Sequence, residues 1–299
     1  NSLVEYFITC GNMMNKRIGI YKLFQKILAQ CDKIVCSDAD ISDNSLLLLK
    51  NWGIPYKYIN NQYKHNNNVK ATELYRFNND EDDNDDKTLI GKLRNTPKWM
   101  CCADSKTMVE IIAKLGNDNI KCYTSENGQE DIDLDAHDKV IFSPKIVYGL
   151  DSVMERPVFC YYKCHTITPA AMVQQVCRNR NITELFYHFA DAAKRNKPYK
   201  YHNYDECIDD LKCRDAYGCK SFNVLDGTAA DEYVKLLAGF VYNYDCFETN
   251  KFAHFINIIR TRGFITDRKF NKTDDGNIID TIVEIKQEKQ QYMDECSKR

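Results

Sequence analysis

Between residues 98 and 176 short apolar runs alternate with stretches of helical spacing, and this rhythm narrows the fold more than any other feature. The runs are WMCCA (99–103), IKCYT (120–124), KVIFS (139–143) and VFCYY (158–162). Strands this continuously apolar are buried on both faces, which happens when helices cover both sides of a parallel sheet. Helical spacing runs from Ser105 to Leu115 and resumes at Pro169, where Thr168 as N-cap and Pro169 in the first turn fix the helix start. The expected class is α/β.

The same rhythm is expected upstream. Residues 16–31 place Ile20, Leu23, Phe24, Ile27 and Leu28 on one helical stripe, followed by a strand KIVCSDAD (33–40), a helix through Leu46 to Leu49, and a strand at Ile54 to Ile59. Between 61 and 95 the Asn-rich NNQYKHNNN and the acidic run Asp80 to Asp86 are too polar to bury much surface, so an inter-domain connection with a disordered insertion is predicted. A calcium loop in this run lacks the Gly and closing Glu that such loops need. Beyond Arg195, helical spacing at 229–243 and 250–260, with Phe252, Phe255, Ile256 and Ile259 on one face, predicts a mostly helical extension. The expected segments are 1–60, 61–95, 96–195 and 196–299, with no internal repeat.

A chain of 299 residues with 43% hydrophobic content can fill about two domains. A net charge of -2 means that any nucleic-acid contact must come from a local groove, not from a uniformly basic surface. No apolar run approaches the roughly 18 to 20 residues of a membrane helix. The 14 cysteines are scattered through apolar segments, as expected of reduced thiols in an intracellular protein. Neither Cys160, Cys164 and His165 nor Cys207, Cys213 and Cys219 has paired metal-ligand spacing, so no metal site is predicted. The opening SLVEYFI reads as the inside of a folded element, and the chain is expected to be a fragment.

Two segments carry the chemistry. SPKIVYGLD (143–151) sets a hydroxyl, a glycine and a carboxylate behind a buried strand, and QQVCRNR (174–180) ends a helix with two arginines. In order and spacing they resemble motifs V and VI of superfamily 2 helicases, matched by Ser143, Gly149 and Asp151 and by Gln174, Arg178 and Arg180. The arginine spacing is similar to that of the herpesvirus-type replication-origin-binding branch, also found in large DNA viruses. WMCCADSKTM, with Ser105 and Lys106 at a helix start, resembles motif IV, Thr124 and Ser125 resemble the phosphate-contacting residues that follow it, and KIVCSDADISD resembles motif III through Asp38 and Asp40. One position departs from the pattern, because Cys177 stands where motif VI has glycine and its Cβ is expected to crowd the backbone beside the arginines.

This resemblance implies a RecA-like parallel sheet of P-loop NTPase type with helices on both faces: an incomplete first lobe, a complete second lobe and a helical C-terminal extension. It implies an ATP-dependent DNA helicase of viral replication, with ATP and Mg²⁺ as cofactors and DNA and other replication proteins as partners. The site of action would be intracellular, at a viral replication site or in the host nucleus or cytoplasm. Gln174, Arg178 and Arg180 would be the catalytic residues, with the two arginines stabilising charge on the γ-phosphate. Gly149 and Asp151 would face the nucleotide, Asp38 and Asp40 would couple nucleotide state to grip, and Ser105, Lys106, Thr124, Ser143 and Lys145 would hold nucleic-acid phosphates. The Ser143–Gly149–Asp151 strand exit and the arginine pair are expected to share one rim of the sheet.

No G-x-x-x-x-G-K-[ST] sequence occurs in residues 1–299, so ATP hydrolysis is expected only of a longer protein that supplies the P-loop. Two other readings remain open: a catalytically inactive helicase-like module for binding or scaffolding, and a different doubly wound enzyme using Asp38 and Asp40 as metal ligands. A basic group in the tail, Arg260, Arg262, Arg268, Lys269 and Lys272 beside Phe264 and Phe270, is read mainly as a solvated face.

Overall fold

Seven strands form one sheet: β1 (Lys70–Glu73), β2 (Trp99–Ala103), β3 (Lys121–Tyr123), β4 (Lys139–Phe142), β5 (Arg156–Tyr162), β6 (Ile182–Phe189) and β7 (Ile265–Thr266). Their order across the sheet is β3-β4-β2-β5-β6-β1-β7, and every pairing is parallel. The computed structural model describes residues 17–37, 41, 43–74, 76–77, 86–116, 119–125, 132–144, 146, 150–164, 167–190, 194–218 and 227–266. Within them the chain forms two compact units, residues 1–61 with 197–249 and residues 62–196 with 250–299.

The sheet unit is the parallel α/β class that the alternating runs predict. Successive strand residues point to opposite faces, so each apolar run feeds two cores. Met100, Cys102, Val140, Phe142, Val158, Cys160 and Tyr162 face one side with Leu185, Tyr187 and Phe189. Helix α5 (Pro169–Val176) covers that side with Met172, Val173 and Val176, and helix α8 (Lys251–Thr261) with Phe252, Phe255, Ile256 and Ile259. Trp99, Cys101, Ile141, Phe159 and Phe186 face the other side, under α3 (Leu89–Asn95) and α4 (Lys106–Leu115). Each fully buried Leu, Ile or Phe stabilises the fold by about 1.5 to 3 kcal/mol, so the two faces are a major source of stability.

Local chemistry fixes the helix ends. Ser105 Oγ accepts the Met108 N–H at 3.3 Å, starting α4, and the helix closes where the Gly116 N–H reaches the Ile112 carbonyl at 2.8 Å. Thr168 Oγ1 accepts the Ala171 N–H at 3.3 Å with Pro169 behind it, as its sequence predicts for α5. Asn250 caps α8 by accepting the Ala253 N–H at 2.9 Å. In β5, Pro157 has no N–H to give the ladder, and the β5–β6 register shifts between Arg156 and Val158.

The second unit is helical. It comprises α1 (Arg17–Ala29), α2 (Asp43–Asn51), α6 (Tyr204–Gly218) and α7 (Gly227–Thr249). Tyr21, Leu48, Tyr233, Leu236, Leu237 and Phe240 form one core, and Tyr201, Cys207, Ile208, Val234 and Ala238 another.

Several sequence expectations need correction. Residues 33–37 and 54–59 are irregular rather than strands: Val35 is 78% exposed and Ile59 76%, and no described strand lies beside them to complete a ladder. Residues 61–95, expected to be a connection, contain β1 and α3, and most of the acidic run lies outside the described residues. The predicted boundary near 195 separates the halves differently, because α6 and α7 join the helical unit while α8 and β7 return to the sheet.

Candidate functional site

Helix α5 leaves the C-terminal ends of the strands and runs back to their starts, so Arg178 and Arg180 arrive at the N-terminal edge of the sheet, just before β6. The 150–154 segment arrives there as well, ahead of β5. Ser152 and Asn179 form a parallel bridge in which the Ser152 N–H reaches the Arg178 carbonyl at 2.7 Å and the Arg180 N–H reaches the Ser152 carbonyl at 2.8 Å. This pairing sets Asp151 beside both side chains. Its Oδ1 lies 3.1 Å from Arg178 Nη1 and its Oδ2 2.8 Å from Arg180 Nη2.

The two arginines are held differently. Arg178 is 15% exposed, and it also donates through Nε to the Gln174 carbonyl at 3.1 Å and through Nη1 to the Leu150 carbonyl at 3.3 Å. Arg180 is 45% exposed, with its guanidinium held by Asp151 and its carbonyl meeting His65 Nε2. A fixed inner guanidinium and a freer outer one, sharing a single carboxylate, are well matched to an incoming phosphate, since both anions present oxygens to the same planar donors.

Cys177 caps α5 at φ -74°, a conformation open to any side chain, so a residue larger than glycine strains no backbone dihedral there. Its sulfur accepts from Asn66 Nδ2 at 3.6 Å. Burial raises the thiol pKa, outweighing the opposing effects of Arg262, the Asn66 hydrogen bond, Arg178 and Arg180. The thiol therefore stays neutral beside the arginines.

Beneath this cluster lies a group the sequence reading missed. Arg156 is fully buried and donates to the carbonyls of Leu134 at 2.7 Å and His137 at 2.9 Å and to Ser152 Oγ at 3.0 Å. The Ser152 hydroxyl in turn donates to Asp135, whose carboxylate also takes the N–H groups of Val153 at 2.9 Å and Met154 at 3.3 Å. An arginine heading the otherwise apolar RPVFCYY is the one sequence signal for this network.

Other predicted residues gather at the opposite edge. Ser105, Thr124 and Ser143 follow β2, β3 and β4, which are neighbours in the sheet, and the Ser143 N–H reaches the Tyr123 carbonyl at 3.0 Å. Thr124 and Ser143 are buried, and Lys106 pairs with Glu110 at 3.4 Å. Buried Asp104 accepts the Cys164 N–H at 2.6 Å, and buried Lys251 donates to the Cys164 carbonyl at 2.9 Å. Cys164 itself has φ +64°, so the turn leaving β5 is held in a left-handed conformation from both sides.

The expectation of one shared rim therefore holds for Asp151 and the two arginines and fails for Ser143. Ser143 lies at the strand exits and Asp151 with the arginines at the strand entries, because Ser143 follows β4 and Asp151 precedes β5 in the same parallel sheet. The seven residues of β5 separate the edges by roughly 20 Å at about 3.3 Å per residue. Asp38, Asp40, Lys145 and Gly149 lie outside the described residues. So do Arg268, Lys269, Lys272 and Phe270, while Phe264 is buried and Arg260 Nε donates to Thr266 Oγ1 at 2.9 Å. Among the described residues no group of His, Cys, Asp and Glu is placed to hold a metal, and no helix is long and apolar enough to cross a membrane.

No protein-family model matches the sequence, and no curated protein does. Among solved structures the chain is similar to S. cerevisiae Dbp5 bound to RNA and ADP BeF3, at 12% identity and a TM-score of 0.37. It is also similar to a point variant of Dbp5 with the same ligands, at 12% identity and a TM-score of 0.38. Each match covers 77% of this chain and 61% of the other, so the chain spans about three fifths of the length of those it matches.

Proposed function

We propose that this chain is part of an ATP-dependent nucleic-acid motor, with the sheet unit as the second lobe of a superfamily 2 helicase core of the origin-binding type acting in DNA replication. The observation that carries the reading is the Arg178–Asp151–Arg180 cluster at one edge of a parallel sheet, with Ser105, Thr124 and Ser143 at the other. Nucleotide at the first edge and nucleic acid at the second would give one rigid sheet two edges through which binding at either is felt at the other.

The donor set fits a polyphosphate, since Arg178 and Arg180 offer permanently charged, planar donors. Bound ATP with Mg²⁺ would supply the phosphoryl group and the metal charge that neutralises it. The chain's own part is to carry the guanidiniums to the γ-phosphate and release them from Asp151 as they engage. Ser105, Thr124 and Ser143, with Lys106, would face the strand backbone, where contacts to phosphate carry no sequence information and permit stepping. The described cysteines, all free thiols, suit an intracellular reducing compartment.

The test is Arg178→Ala in a longer protein that joins this chain to a P-loop lobe. ATP turnover at saturating single-stranded DNA should fall about a thousandfold or more, the scale of an arginine finger. Unchanged turnover would refute the assignment. A second reading, a helicase-shaped module that binds nucleic acid without hydrolysis, is favoured by Asp151 already holding both guanidiniums. It predicts DNA binding by the same protein with no turnover in either variant.

A further inference from the structure

We propose that Asp135 is a positioning residue for the arginine pair, acting through Ser152; this deepens, and rests on, the reading of Arg178 and Arg180 as phosphate-facing groups. Asp135 lies in the segment before β4, outside both motif segments, and touches neither guanidinium in any described contact. Its route to them is short. The carboxylate takes the Ser152 hydroxyl and the Val153 and Met154 N–H groups, fixing the three residues that follow Asp151. The main chain of Ser152 is joined on one side to the Arg178 carbonyl and on the other to the Arg180 N–H. Moving Ser152 therefore moves both arginine peptides and the carboxylate that holds their side chains.

Arg156 makes the arrangement one-directional. Its Nη2 donates to Ser152 Oγ at 3.0 Å and lies 3.6 Å from Asp135 Oδ1. The hydroxyl thus accepts from the guanidinium and must donate to the carboxylate, which leaves it a single orientation. Burial pushes the Asp135 pKa up, but the Ser152, Val153 and Met154 hydrogen bonds and the Arg156 charge outweigh it and hold the pKa below the usual carboxylate range. An acceptor-only group is what three converging donors require. Asparagine at 135 preserves size but turns an N–H₂ toward at least one of those donors.

The first measurement is amide hydrogen exchange on the 299-residue chain carrying Asp135→Asn. The Ser152 and Arg180 amides should exchange about tenfold faster, the scale of one lost buried hydrogen bond, while amides of β2 and β5 keep their protection. Uniform acceleration across all of them would reveal a merely structural role, and no change at Ser152 and Arg180 would overturn the proposal. Ser152→Ala, a smaller change, should accelerate the same two amides if Asp135→Asn fails to fold.

The second measurement is a double-variant cycle in the longer protein with a P-loop lobe. Asp135→Asn should lower turnover on its own and lower it by a smaller factor in an Arg178→Ala background, where only its effect through Arg180 is left. Independent, multiplicative losses would overturn the coupling through Ser152. A silent Arg178→Ala alongside altered Ser152 and Arg180 exchange would sink the functional reading alone.

Discussion

Arg180 donates to Asp151 at 2.8 Å across a parallel bridge, so a helix end and a strand entry separated by 29 positions present one charged surface. The pair is half open to solvent, which limits its strength. A weak internal anion is one that a phosphate can replace.

If Asp151 competes with phosphate for the two guanidiniums, Asp151→Asn should tighten binding of tripolyphosphate to the 299-residue chain. The gain should be about two- to fivefold at low salt, the scale of a partly exposed ion pair. Titration calorimetry reads it directly, and weaker binding by the variant would count against the competition.

The helical unit makes a separate prediction. Gly239 of α7 packs so closely on Asn44 of α2 that a Cβ there must displace the buried Asn44 amide. Gly239→Ala should therefore destabilise the chain by about 1 to 3 kcal/mol despite alanine's better helix propensity. Adding Asn44→Ala should recover much of that loss. Urea unfolding of the single and double variants checks both signs.

Alkaline titration reports on the same unit. Burial pushes the Tyr21 pKa up to about 12; the Trp52 hydrogen bond, donated at 2.8 Å, opposes the shift and nearby Glu232 adds to it. A folded pKa above the unfolded value near 10 means that the full contribution is present below about pH 10 and is lost as pH rises toward 12. Tyr21→Phe should flatten the fall in stability over that window. Trp52→Phe should delay tyrosinate absorbance further, because it removes the one effect lowering the pKa.

The sequence was most legible where burial on both faces leaves no polar positions. WMCCA, KVIFS and VFCYY announced β2, β4 and β5, and Thr168–Pro169 announced the start of α5. KATE did not read as a strand: only Ala71 of β1 is fully buried, Glu73 depends on Lys194 at 2.7 Å, and the strand exists because β6 and β7 flank it. ITELFYHF was missed as β6 because its polar first half masks the buried second. KIVCS and IPYKYI fail in the opposite sense, having strand composition without a described neighbour to pair with. At the site, residue types and spacing pointed to Arg178, Arg180 and Asp151. Their union depends on Ser152 and Asp135, whose joining contacts span 17 to 28 positions and follow no local pattern.

The chain passes between its two units at 61/62, 196/197 and 249/250, and at the last two the Asn250 side chain donates to Asn196 at 2.6 Å. Truncation after residue 196 would strip Tyr233 and Leu236 from Tyr21 and Leu48, and at once strip Phe252 and Phe255 from the sheet. No terminal deletion at that point yields an intact half. Removing 1–61 and excising 197–249 is different: the residues flanking the excised segment are a bonded asparagine pair, so a short bridging peptide retains every strand and both covering layers of the sheet for study in isolation.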